Sequence, residues 1–178
     1  RYRMERSLRR IEQLIAGDLE SPETRAYGSA SQFMADLRLI DDSLRGHGDA
    51  DIANQDLHDL IRLVETFGFH LMQLDVRQES TRHSDAVAEL LQQSLGIDYL
   101  ALNEADRLAL LGEAIHAPGG LLFDRSTLSR PTRETLEVFE TMSRMQREIG
   151  ADCFGKYVIS MTHHASHILE VMLLSIQC

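Results

Sequence analysis

The chain has 178 residues, 43% of them hydrophobic and 26% charged, which is enough for one domain with a sizeable core and unlike a disordered or fibrous composition. A net charge of −10 argues against nucleic acid as the main partner, because neutralising phosphates takes a basic face. No apolar run approaches the roughly 20 residues of a membrane span and no signal-peptide pattern opens the chain, so a cytoplasmic setting without a membrane partner is expected.

Residues 1–16 place Met4, Leu8, Ile11 and Ile15 on one helical stripe that is expected to face a core. Residues 18–29, with Pro22 and Gly28, read as a polar linker and as the best candidate for disorder. Ser29 and Gln32 form a capping-box pattern at the start of a second helix, whose Phe33, Leu37, Ile40 and Leu44 share a face until Gly46-His47-Gly48 stops it. A third helix is expected from near Asn54, burying Leu57, Leu60, Ile61 and Val64 and ending at Gly68.

Helical periodicity then gives way to alternation over residues 71–77. Met72, Leu74 and Val76 fall on one face, and Leu71, Gln73, Asp75 and Arg77 on the other, as in a strand. Ser80 is placed to cap a new helix, which carries Val87, Leu90, Leu91 and Leu95. Strand, tight turn and helix make a βα unit, and in α/β barrels the chemistry gathers at the C-terminal ends of strands and in the loops that follow. Arg77 and the segment from Gln78 to His83 fall there. A guanidinium at a strand end offers planar, bidentate donors to a phosphate or carboxylate at any working pH. Pairing of Arg77 with Asp75 or Glu79, closing the strand end without a ligand, is the alternative.

Asn103 is expected to cap a helix bearing Leu108, Leu111 and Ile115, and Gly119-Gly120 reads as a plain turn because no Lys-Ser/Thr pair follows it. Ser129-Arg130-Pro131 opens the longest helix, with Leu136, Phe139, Met142, Met145 and Ile149 as its apolar stripe. Cys153 reads as a small buried hydrophobe. Residues 157–161 form a second buried parallel strand, followed by a histidine-rich turn and a strongly apolar helix. His163, His164 and His167 lack the further ligands a metal site needs and read as a partly exposed, helix-capping turn. Asp41-Asp42, Glu134 and Glu137 lie in solvated helical patterns and form no acid/base pair. The chain starts within a helix without an initiator methionine and ends at Cys178 without a stop signal, so it is expected to be a piece of something longer.

The run Leu74-Asp75-Val76-Arg77-Gln78-Glu79-Ser80 with Arg82-His83 resembles the D-I/V-R-Q-E-S-x-R-H segment of the phosphoenolpyruvate carboxylase family. Tyr157-Val158-Ile159-Ser160-Met161 with Ser166, Leu169 and Val171 resembles its Y-V-I-S-M-x-x-x-x-S-D-x-L-x-V segment, and Asn54-Gln55-Asp56-Leu57 is similar to its A-N-x-D-L. His167 departs from the pattern by standing where the family has aspartate.

The resemblance implies a mostly α fold with a few parallel strands, a fragment of a TIM-barrel-like α/β barrel embedded in helices, with residues 1–67 as helical scaffold and 68–178 as a partial barrel of two βα units. It implies a lyase that joins bicarbonate to phosphoenolpyruvate in carbon dioxide fixation, giving oxaloacetate and phosphate, with Mg2+ or Mn2+, as an allosteric homotetramer. It gives Arg77 to the phosphate of phosphoenolpyruvate, with Asp75, Gln78, Glu79, Arg82 and His83 orienting it and shaping the loop. The family's metal carboxylates, catalytic histidine and lysine and glycine-rich arginine loop have no match here, so the chain by itself is expected to be inactive and to hold no metal. The competing reading is a non-enzymatic helical interaction module. Arg77 on a helix surface would favour the module, and Arg77 at the end of a parallel strand the enzyme.

Overall fold

The structure is a computed structural model that describes residues 2–17 and 25–178, mostly helical with two parallel strands. The chain divides into two compact units, Arg1–Met72 and Gln73–Cys178.

In the first unit, α1 (Tyr2–Ile15) and α2 (Ala30–Gly46) precede a short turn of helix α3 (Ala50–Ile52), an irregular stretch Ala53–Leu57 and α4 (His58–Phe67). The third helix thus begins earlier than its sequence suggests and is broken at Gln55, whose φ/ψ of −98°/−131° is not helical. Ser29 Oγ accepts the Gln32 N–H at 3.3 Å as expected, but the Gln32 side chain reaches back to the Gly28 N–H, one residue earlier than a standard capping box. Gly68 ends α4 at φ 57°, a conformation that side chains other than glycine's rarely adopt. Phe33, Leu37 and Val64 form this unit's core, with Leu57, Leu60 and Ile61 packed around them.

Five of the expected buried positions in this unit are corrected. Ile40 is 50% exposed, and the α1 stripe of Met4, Leu8, Ile11 and Ile15 is exposed throughout. The reason is that α1 is fastened by its polar face. Arg3 pairs with Asp36 at 3.0 Å and lies over the Tyr27 ring, while Ser7 Oγ accepts the Tyr27 N–H at 2.9 Å. Most of the expected linker, residues 18–24, lies outside the described residues; the part after it is tied down, with Ala26 buried and the Tyr27 hydroxyl donating to Asp36.

The second unit runs β1 (Leu74–Glu79), α5 (Ser80–Leu95), α6 (Glu104–His116), α7 (Arg130–Glu148), β2 (Phe154–Ser160) and α8 (Ser166–Ile176), with single turns at Tyr99–Ala101, Arg125–Thr127 and Ala151–Cys153. Three helices separate the strands, long enough to return the chain for parallel pairing. Asn103 caps α6 and Ser129 caps α7 through their side chains, and Pro131 sits in the first turn of α7. Val87, Leu90, Leu91, Tyr99, Leu111, Leu136, Leu173 and Leu174 make one continuous core between the helices and the inner face of the sheet. Each such leucine contributes about 2 kcal/mol through apolar burial. Leu95 is exposed rather than buried, whereas Cys153 is buried as expected.

Candidate functional site at the strand ends

Both strands start and end differently from the sequence expectation. β1 is shifted forward to Leu74–Glu79 with its alternation of faces as read, whereas β2 is shifted back to Phe154–Ser160 and is not buried as expected: half-buried Tyr157 and Ile159 alternate with exposed Val158 and Ser160, because helices cover only one face of the sheet. Arg77 stands opposite Val158, Gln78 opposite Ile159 and Glu79 opposite Ser160. Asp75, Arg77 and Glu79 lie on the open face, and Val76 and Gln78 are half-buried toward the helices.

The register contains one irregularity, because Leu74 pairs with Phe154 but Val76 with Tyr157. Two residues of β2, Gly155 and Lys156, therefore face Asp75 alone, as in a bulge. The Asp75 carboxylate accepts the Lys156 N–H at 2.9 Å, and a Cβ at Gly155 would stand 2.5 Å from Asp75 Oδ1. Glycine is needed there to let the carboxylate through. The Asp75 carboxylate thus serves the strand pairing, and among the described residues the Arg77 side chain forms no hydrogen bond or ion pair. The guanidinium is exposed on a parallel strand between two carboxylate residues of its own face.

No loop separates β1 from α5, so Arg82 and His83 belong to the first turn of the helix rather than to a loop. Glu79 is the N-cap residue, and Ser80, expected to cap, sends its hydroxyl to the carbonyl oxygen of Met161 at 2.8 Å. The Gln78 side chain bonds its neighbour's backbone, accepting the Glu79 N–H at 3.0 Å. Arg82 is exposed. His83 has no exposure and lies on the helical side, its Nε2 2.8 Å from the Tyr157 hydroxyl, with Phe139 stacked on the Tyr157 ring. Burial first, then the charge on His167, lowers the His83 pKa from 6.5 to about 4, so the ring is neutral at physiological pH. Burial likewise pushes Tyr157 up to about 12.

The histidine turn is divided. His163 and His164 are exposed, while His167 is buried in the first turn of α8 with Nδ1 unpartnered. The cap comes instead from Glu104 of α6, whose carboxylate accepts the Ser166 N–H at 2.9 Å and the Ser166 hydroxyl at 2.8 Å. Burial raises the Glu104 pKa, but these two bonds outweigh it and hold the carboxyl below its ordinary range. Another carboxylate, the fully buried Glu170, accepts from Ser84 Oγ at 2.9 Å and from the Tyr99 hydroxyl at 2.8 Å. Sequence reasoning missed it; the signal available was a lone acidic residue inside the apolar run from Ile168 to Leu174.

The whole of the chain, residues 1–178, matches the family profile described as phosphoenolpyruvate carboxylase. The chain belongs to the phosphoenolpyruvate carboxylase family. A curated phosphoenolpyruvate carboxylase of Prochlorococcus marinus subsp. pastoris is 40% identical over 159 residues, covering 89% of this chain and 16% of that protein. Those of Synechocystis sp. and Synechococcus sp. are 36% and 40% identical, covering 97% and 91% of this chain and 17% and 16% of their own lengths. The chain therefore spans about a sixth of the length of these phosphoenolpyruvate carboxylases.

Among the described residues no group of three or more His, Cys, Asp or Glu side chains could hold a metal ion. These residues do not fit the divalent cation the family implies. Among them, too, no helix is long and apolar enough to cross a membrane. Asp41 pairs with Arg45 at 2.8 Å and Glu134 with Arg130 at 2.7 Å, so these carboxylates are taken up by ion pairs on their own helices.

Proposed function

We propose that this chain is part of an enzyme that carboxylates phosphoenolpyruvate with bicarbonate to give oxaloacetate and phosphate, and that Arg77 contacts the substrate's phosphate. The observation that supports this best is the exposed guanidinium of Arg77, paired with no side chain among the described residues, on a strand whose parallel partner carries the second family segment. Phosphoryl transfer leaves little covalent work to the protein, so side chains that hold the group and offset the charge it gathers supply much of the catalysis. Arg77 is suited to both. Arg77 on a helix surface would have favoured the interaction-module alternative; Arg77 lies instead on the parallel strand β1, two residues before its last residue, Glu79.

On the same reading, β1 and β2 are two staves of an eight-stranded barrel, residues 68–178 form a partial barrel and residues 1–67 a helical scaffold. Two strand-to-helix units in parallel pairing support this assignment. Asp75, by fixing the bulge, and Gln78 and Glu79, by flanking it, orient Arg77; Arg82 shapes the start of α5, and His83 acts through Tyr157 from beneath the sheet. Mg2+ or Mn2+ bound elsewhere, a homotetramer, allosteric control and a cytoplasmic setting are part of the same proposal, supported by family membership alone.

The test is Arg77→Ala and Arg77→Lys in the intact enzyme. Loss of a bidentate phosphate contact raises KM for phosphoenolpyruvate at least about tenfold, with lysine only partly restoring it. Unchanged kinetics in Arg77→Ala would overturn the reading. The isolated 178 residues are expected to release no phosphate in a bicarbonate-dependent assay.

A further inference from the structure

Met161 is the one non-glycine residue with a positive φ among the described residues, at 57°. It directly follows Ser160, the last residue of β2, and Ser160 is paired with Glu79, the last residue of β1. The left-handed conformation crowds a Cβ against the backbone, so a methionine there must be held by its surroundings. Its side chain does not do this, being 62% exposed. Its carbonyl oxygen does, by accepting the hydroxyl of Ser80, a residue with 1% exposure at the start of α5. The bond fixes the peptide plane between Met161 and Thr162. At the far side of the same turn, Glu104 fixes Ser166.

We propose that Ser80 is a positioning residue for the site at the strand ends: its hydroxyl holds the turn after β2 in the left-handed conformation, and so sets the wall beside the anion that Arg77 binds. This rests on the reading of Arg77 given above. A Ser80 whose only work is to start α5 would need no partner 81 residues away, and the N-cap of α5 is in fact Glu79. The bond also joins the two strand-to-helix junctions directly, so an error in one is passed to the other.

The experiment uses the intact phosphoenolpyruvate carboxylase and compares Ser80→Ala, Met161→Gly, the double variant and Arg77→Ala by KM for phosphoenolpyruvate, kcat and thermal stability. Losing one hydrogen bond to a held carbonyl is expected to raise KM about fivefold to tenfold in Ser80→Ala while kcat stays within about twofold. Glycine takes the left-handed conformation without a Cβ penalty, so the double variant is expected to return KM to within about twofold of Met161→Gly. A Ser80→Ala enzyme that loses stability with KM unchanged, or whose raised KM the glycine does not restore, overturns the proposal. If Ser80→Ala does not fold, Ser80→Cys, of similar shape and a much weaker donor, takes its place with the same expectations. Unchanged KM in Arg77→Ala sinks the underlying reading, whereas a raised KM there with none in Ser80→Ala sinks only this inference.

Discussion

The Tyr99 hydroxyl donates to Glu170 Oε1 across 2.8 Å, and neither residue has any solvent exposure. The Glu170 carboxylate is thus satisfied by hydroxyls, from Tyr99 on one oxygen and Ser84 on the other, and ties the turn after α5 and α5 itself to α8. Burial first, then the bond to Glu170, pushes the Tyr99 phenol well above its usual range. Glu170→Ala leaves two buried hydroxyls without an acceptor and opens a cavity, a loss of about 3 kcal/mol or more. Glu170→Gln keeps an acceptor and costs about 1 kcal/mol. Denaturant unfolding of the intact protein measures both, and equal losses would contradict the assignment.

His83 makes stability depend on pH. Its pKa is about 4 in the fold against an ordinary 6.5, so between these values the unfolded chain takes up a proton that the folded protein refuses. The contribution is complete above pH 6.5 and is lost as pH falls toward 4, to a total of about 3 kcal/mol. His83→Gln, which does not titrate, is expected to flatten the unfolding free energy across this window. A profile as steep as the parent's would show that other groups carry the dependence.

Gly155 and Asp75 should answer as a pair. A methyl group at Gly155 would stand 2.5 Å from Asp75 Oδ1, so Gly155→Ala either displaces the carboxylate or spreads the strands, at about 1–3 kcal/mol. Asp75→Asn keeps an oxygen for the Lys156 N–H and is expected to cost less than Asp75→Ala. In Asp75→Ala the clash is absent, and Gly155→Ala becomes nearly harmless there. Additive losses in a double-mutant cycle would refute the coupling.

Glu104→Ala removes the cap of α8 and is expected to cost about 1 kcal/mol, with Glu104→Gln losing less. Because these bonds hold the Glu104 carboxyl below its ordinary range, the parent gains this stability above the ordinary carboxylate pKa and loses it as pH falls through the lowered one. Unfolding curves at pH 7 and pH 3 that differ equally in parent and Glu104→Ala would contradict this.

What could be read from the sequence was local. α5 runs from Ser80 to Leu95, as its periodicity says, and the caps at Asn103 and Ser129 depend only on residues three positions away. The limits of β1 slipped because Leu71 and Met72 continue the same alternation as Leu74 and Val76, and alternation sets sidedness without setting ends. The α1 stripe misled because amphipathic spacing shows which face is greasy and not what covers it. Arg77 was legible as a strand residue, since alternation and a family segment surround it. Its freedom was not, because that depends on Asp75 being engaged by Lys156, 81 residues along. The bonds made by Ser80, Glu104 and Glu170 were missed for the same reason: each reaches a partner more than 60 residues distant.

The extra residue opposite Asp75 also decides what company the guanidinium keeps. Counted evenly from the Leu74–Phe154 pair, an uninterrupted ladder would seat Tyr157 next to Arg77 and turn Lys156 inward among the leucines. One skipped position reverses this. The phenol is handed to His83 beneath the sheet, the ammonium stays in water, and a small aliphatic neighbour, Val158, is left beside the arginine, where it can neither compete for its donors nor crowd the space above it.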